Sequence, residues 1–265
     1  MKAFIRLTGI SIQSRLYYKT SFLLDMTSMV IPLLGQYLLW YALYRQQGNR
    51  MIGGMGQQEM FTYILIAFAL NNLLGWSSEN KLAREIKNGT VVARCIRPVS
   101  FLSQNAADMT GSLLVQGITN LFLVLLICLI WRESFMLPAF SSFLLFIPCT
   151  GLALLLRILL VDVFSLLCFY STGHLGITWT RIALFDFFSG ALIPVAMFPQ
   201  WLKALSYAMP FPYMIQVPIA LLIGQELPVS IPVMFLVQLF WVMIFLSLHC
   251  VFYRIARKNM IIAGG

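Results

Sequence analysis

Arg157, Asp162 and Asp186 carry charge inside stretches that are otherwise apolar. A charged side chain at membrane depth is costly, and is kept where it pairs with another group or lines a transport path. Arg157 and Asp162 stand five residues apart, while Asp186 and Asp25 fall near the inner parts of their apolar runs. Two arrangements are open. Arg157 pairs with Asp162 or Asp186 inside a helix bundle, or each side chain snorkels to the membrane interface. Other chemistry is thinly supplied. No GxxxxGK[ST] loop is present to cradle nucleotide phosphates. No HExxH motif or Cys/His cluster has metal-ligand spacing, and no GxSxG elbow presents a nucleophile. His174 and His249 read as interfacial rather than catalytic. The chain reads as non-catalytic, with no cofactor of its own; a carboxylate-based enzyme acting on lipids within the membrane is the catalytic alternative.

The elements that must position these charges are membrane helices. Hydrophobic residues make up 60% of the 265, charged residues only 10%, and the mean hydropathy is +0.86. Soluble domains carry roughly 25% charged residues, so this chain cannot cover a water-soluble globule, and lipid must solvate much of it. The five cysteines are scattered, mostly in apolar stretches and with no CxxC pair, and read as small buried apolar side chains. Arg6, Arg15 and Lys19 interrupt any signal-peptide core near the start.

Runs of about 20 apolar residues suit spanning helices. They fall at Met26 to Tyr44, Met60 to Ser78, Met109 to Trp131, Ser134 to Leu156, Ile182 to Phe198 and Leu227 to Tyr253. Beyond Leu156 the fourth run continues either as one long, tilted helix ending near Ser171 or as two short segments. With six crossings and the N-terminus inside, thirteen of the 18 basic residues face the cytoplasm. They are Lys2, Arg6, Arg15 and Lys19; Lys81, Arg84, Lys87, Arg94 and Arg97; Arg181; and Arg254, Arg257 and Lys258. Four (Arg45, Arg50, Arg132 and Lys203) lie outside. This bias sets an all-α polytopic fold, N-in and C-in. Residues 1–265 form one domain. Its first 20 residues, basic and apolar, are expected to lie on the inner membrane surface, with Gly9 allowing a bend. The glycine-rich connection from Arg45 to Glu59 suits a flexible external loop. The tryptophans mostly fall near span ends, as headgroup anchors.

Two segments break the pattern. Between spans two and three, residues 79–104 read ENKLAREIKNGTVVARCIRPVSFLSQ. Leu82 and Ile86 are four apart, Gly89 is placed to end a helix, and Pro98 stops a second apolar-basic run. Either a short helix lies across the cytoplasmic face, with Leu82, Ile86 and Val91 as anchors for a partner, or the basic residues are topology signals alone. Between spans five and six, residues 190–225 carry Pro194, Pro199, Pro210, Pro212 and Pro218 in a sequence apolar enough for membrane depth. Proline removes an amide donor and clashes with the preceding turn, so a straight helix is excluded. Broken or re-entrant helices on the outer side follow, or a kinked external loop resting on headgroups.

At these segments the chain resembles the permease subunits of ABC-2 family exporters, in particular a bacterial subgroup encoded apart from its ATPase. The likeness spans nearly the whole chain: the basic start, six spans, IKNG…RPVSFL, SGALIPVAMFPQW, the MPF at Met209 to Phe211, Gly224, and the terminal Gly264-Gly265. Importer permeases of another class dock their ATPase through an EAA…G…I-x-LP loop, which Glu85, Gly89, Ile96 and Pro98 mimic superficially. Here the Gly-to-Ile spacing is shorter and the loop comes early in the chain.

The resemblance implies an exporter half in a bacterial inner membrane. Two permeases, identical or sister subunits, pair above two ATPase subunits that hold ATP and Mg, and move an amphipathic drug, peptide or lipid-like substrate. Lys81, Leu82, Arg84, Glu85, Ile86, Gly89, Arg94, Arg97 and Pro98 would belong to the coupling helix that grips the ATPase. Gly190, Ile193, Pro194, Phe198, Pro199, Pro210 and Gly224 would shape the re-entrant element of the pathway. Membrane lipids are the remaining partners, and no nucleic acid is expected. A self-contained secondary carrier or channel is the alternative, and would favour inverted repeats, which the sequence lacks.

Overall fold

The computed structural model describes residues 2–17, 19–48, 50–73, 84, 85, 88, 90–136, 138–168 and 174–263. The side chains at 2, 15, 19–29, 92, 95, 174 and 257–263 fall outside the description. The helices run in order α1 (Lys2–Tyr17), α2 (Lys19–Gln46), α3 (Gln57–Asn72), α4 (Val92–Cys95), α5 (Phe101–Ile130), α6 (Phe140–Leu167), α7 (His174–Phe188), α8 (Gln200–Ala208), α9 (Gln216–Ile223) and α10 (Ile231–Ala263). Single 3-10 turns occupy Arg132–Ser134, Val195–Met197 and Phe211–Met214. Among the described residues, β-type pairing is confined to a bridge between Ile52 and Met55.

Among the described residues, three helices are long and apolar enough to cross a membrane: α5, α6, and α10 over Ile231–Ala256. The 28-residue α2 has the length. The 16 and 15 described residues of α3 and α7 rise about 24 and 22 Å at ~1.5 Å per residue, against a hydrocarbon core of roughly 30 Å.

The fourth apolar run is one continuous helix, so Arg157 and Asp162 share α6. The third starts well before Met109. Ser100 caps it, its Oγ accepting the Ser103 N–H at 3.2 Å, and this satisfies an amide that a first turn leaves open. The fifth run, expected over Ile182 to Phe198, does not form as one helix. α7 stops at Phe188, and Gly190 follows with φ +85, a left-handed conformation that side chains other than glycine resist. Pro194 and Pro199 keep the helix from resuming. Arg181, expected in an inner loop, is instead a buried residue of α7.

α6 is the axis of the core. Leu156, Leu159, Leu160 and Val163 on it pack with Tyr63 and Leu70 of α3, Phe185 of α7, Ile219 of α9 and Val242 of α10. Every residue of α9 is buried. α10 lies along α6, with Met234 against Cys149. α1 runs unbroken through Gly9 and crosses α5 closely. A Cβ added at Gly111 would lie 2.6 Å from the Ser11 Cβ and 2.9 Å from the Thr8 carbonyl oxygen. The Ser11 hydroxyl donates to the Asp108 carbonyl at that crossing, at 3.0 Å. Ile5, Ile10, Leu16 and Tyr17 of α1 stay exposed.

The connection after α2, expected to be flexible, is pinned as a tight turn. Gly53 and Gly54 take φ +59 and +80. The Tyr44 hydroxyl donates to the Met55 carbonyl at 2.9 Å, and Gly53 sits against Met197 of the turn beyond α7. The Met136 amide donates to the Thr62 hydroxyl at 2.8 Å, so two further connections meet at the same end of the bundle.

Candidate functional site

Three polar constellations stand inside this apolar body: one where α7 breaks, one where the connection between α3 and α5 joins the bundle, and one around Arg157 of α6. At the break, backbone leaves helical pairing while buried, and each exposed amide then needs another partner. Gln216, at the start of α9, supplies several. Its N–H donates to the Ser189 carbonyl at 3.2 Å, and its Oε1 accepts the Val195 N–H at 3.1 Å. The Tyr63 hydroxyl from α3 lies 2.6 Å from both the Gly190 carbonyl and Gln216 Oε1. The Ala191 N–H donates to the Ser189 hydroxyl at 3.2 Å. Gly190 fits because it has no side chain: a Cβ there would lie 2.7 Å from the Tyr63 hydroxyl and 2.8 Å from Gln216 Oε1.

The other expected residues of this segment fall around that knot. Pro194 is buried and precedes the Val195–Met197 turn, while Ile193 is exposed. The Phe198 ring stacks on Phe187 at 5.7 Å. Pro199 precedes α8, and Pro210 opens the buried turn that leads to α9. Gly224 ends α9 with φ +74, its N–H donating to the Ala220 carbonyl. Trp201 and Leu205 face outward from α8. The Tyr213 hydroxyl donates to the Tyr207 carbonyl at 2.9 Å. Burial, with the Tyr213 phenol nearby, pushes the Tyr207 phenol up to about 12, so it stays neutral across the physiological range. On α10, Gln238 is wholly buried, and its amide donates to the Tyr213 carbonyl at 2.9 Å and the Cys149 carbonyl at 3.3 Å. One side chain thus joins the broken segment to α6 and α10.

The second constellation is a chain of charges and amides. Arg94 of α4 is 7% exposed. Its guanidinium engages Glu85 through two nitrogens, Nε at 2.5 Å and Nη2 at 3.0 Å, and Asp108 of α5 at 2.9 Å. It also donates to Asn105 Oδ1 at 2.6 Å. Asn105 passes the chain on, its Nδ2 donating to Asp162 Oδ1 at 2.8 Å. Asp162, 0% exposed, meets the His249 Nδ1 of α10 through its other oxygen. The His249 ring stacks on Tyr253 at 5.8 Å, and Tyr253 stacks on Phe101. Gln104 holds the backbone beside it, donating to the Arg94 and Val99 carbonyls at 2.9 Å each. The chain runs from the connection through α5 and α6 to α10.

Arg157 reaches the other way. It donates to the Leu70 carbonyl at 2.8 Å, the Asn71 carbonyl at 2.6 Å and Asn71 Oδ1 at 3.0 Å. Carbonyls at a helix C-terminus are open and carry partial negative charge, which suits a cation. Asn71 Nδ2 then donates to Asp186 Oδ1 at 3.2 Å, so Asn71 bridges Arg157 to Asp186. The guanidinium also lies 4.4 Å over the Phe185 ring.

Of the residues read as coupling, Lys81, Leu82, Ile86 and Gly89 lie outside the described residues. Arg84 and Glu85 are helical, and the Val91 N–H donates to the Glu85 carbonyl at 3.1 Å, which ties Glu85 to the start of α4. Arg84, Arg97 and Pro98 are exposed, and Ile96 beside them is 79% exposed. Glu85 and Arg94, by contrast, turn toward the bundle. The sequence reading missed Tyr63, Asn71, Asn105, Gln216 and Gln238, and took His249 for an interfacial side chain. His249 is buried. For Tyr63, Gln216, Gln238 and His249 the signal is an amide, phenol or imidazole inside an apolar run, where an unpaired polar group is expensive; Asn71 and Asn105 have polar neighbours, Asn72 and Gln104, that mask it.

The sequence matches the family described as ABC-2 family transporter protein over residues 30–264. No curated protein matches it. That match covers the apolar helices, the connection with its Arg94 anchor and the broken segment alike, so the chain belongs to the ABC-2 transporter family and is a multi-pass membrane component of an ABC transporter.

Proposed function

We propose that the chain is the non-catalytic permease half of an ATP-driven exporter in a bacterial inner membrane. It pairs with a second permease, identical or a sister subunit, above two ATPase subunits that bind ATP and Mg. α2, α3, α5, α6, α7 and α10 make six crossings with both termini inside. The substrate is amphipathic: a drug, peptide or lipid-like molecule. The observation that carries this reading is the family match over residues 30–264. The connection between α3 and α5 adds support: Glu85 and Arg94 anchor it from inside, while Arg84, Ile96, Arg97 and Pro98 remain on its surface. A segment fixed on one face and open on the other suits a rigid dock for a partner.

The test is co-purification. The tagged chain, extracted from its own membrane, retains a Walker-motif ATPase. Replacing Leu82 and Ile86 together by Glu abolishes that retention while the chain still inserts. Retention unchanged in the double variant, or residues 79–97 labelled from outside intact cells, overturns the assignment of the dock.

A further inference from the structure

We propose that α6 is the element driven by the docking connection, with Arg157 and Asp162 as its two pins. The inference rests on the docking reading above and goes beyond it in naming the receiving helix. The connection begins at the end of α3 and finishes at the start of α5, and each end is fastened to α6 by a buried charge. At the first end, Arg157 holds the Leu70 and Asn71 carbonyls. At the second, Arg94 reaches Asp162 through Asn105. Five residues separate the pins, about 7.5 Å along the helix axis, and they point to different faces of α6. Buried charges that lose their partners are strongly disfavoured, so a shift of the connection that spares both pins must carry α6 with it. Arg94 is also tied to Glu85 within the connection itself, which makes that end stiff.

From α6 the displacement has two outlets. His249 links Asp162 to α10, and Gln238 of α10 holds the Tyr213 carbonyl of the broken segment together with the Cys149 carbonyl of α6. Force applied at the connection thereby reaches the buried turn before α9 through these side-chain hydrogen bonds and the stretch of α10 between Gln238 and His249. Arg157, Asn105 and Asp162 are positioning residues in this scheme and touch no substrate.

The experiment is amide hydrogen exchange on the intact complex with its co-purified ATPase in lipid nanodiscs, with and without ATP plus vanadate. In the wild type, trapping changes exchange both in residues 73–100 and in residues 150–167. In Asn105→Leu the change in 73–100 persists and the change in 150–167 is lost. Asn105→Ala, which removes the same hydrogen bonds to Arg94 and Asp162 with a smaller side chain, gives the same separation where Asn105→Leu does not yield folded complex. An α6 response that survives in a folded variant overturns the pin assignment alone. No response in residues 73–100 of the wild type, in a complex that hydrolyses ATP, overturns the docking reading and the inference with it.

Discussion

Asp162 and Gly190 show what single positions do in this chain. Asp162 is fully enclosed and satisfied by Asn105 on one oxygen and His249 on the other. Removing one partner of a buried pair costs about 3–5 kcal/mol, so Asp162→Leu should lower the thermal unfolding midpoint of the detergent-solubilised chain markedly. Asp162→Asn, which keeps an oxygen for Asn105, should lower it less. Gly190 and Gly224 offer a matched comparison, because both have positive φ but only Gly190 is crowded. Gly224→Ala meets open space and should cost only the backbone strain, about 1–2 kcal/mol. Gly190→Ala adds the clash with Tyr63 and Gln216 and should cost clearly more, read as a lower unfolding midpoint or folded yield. Equal losses at the two glycines would contradict the tight knot at the break.

Most helices were legible from residue type alone, and their ends were not. Apolar runs of suitable length marked α5, α6 and α10 because a lipid-facing helix needs little else. The start of α5 at Phe101 was hidden by Gln104, Asn105 and Asp108, polar residues that look like loop but fill internal partners. The end of α7 was hidden by the opposite cause, since the apolar Ser189–Phe198 stretch reads as span while Gly190 turns the backbone out of it. The prolines marked the broken segment correctly, but not Gln216, whose role depends on where Tyr63 of a distant helix arrives. Helix contact is governed similarly at α1. Gly111→Val would drive a side chain into Ser11 and the Thr8 carbonyl, and should free α1, read as faster amide exchange or proteolysis within Lys2–Tyr17. Gly117→Ala, whose Cβ would stand 3.5 Å from Leu73 Cδ2, should leave α1 protected. Faster exchange in both, or in neither, would dismiss the crossing.

At the scale of the molecule, the chain combines a charge-poor body with three local concentrations of polar groups, the knot at the break among them, each spent on internal pairing. The Arg94 to His249 series and the Arg157–Asn71–Asp186 series fasten helices to one another. The sequence contains no phosphate-binding loop, and membership of the ABC-2 family associates the chain with ATPase components. In the function proposed above, another polypeptide supplies the energy for movement. The most direct measurement is ATP turnover by the purified chain in liposomes, before and after its co-purified ATPase is added back. The account predicts no hydrolysis above the liposome blank from the chain alone and sustained hydrolysis once the ATPase joins it. Turnover by the isolated polypeptide would contradict it.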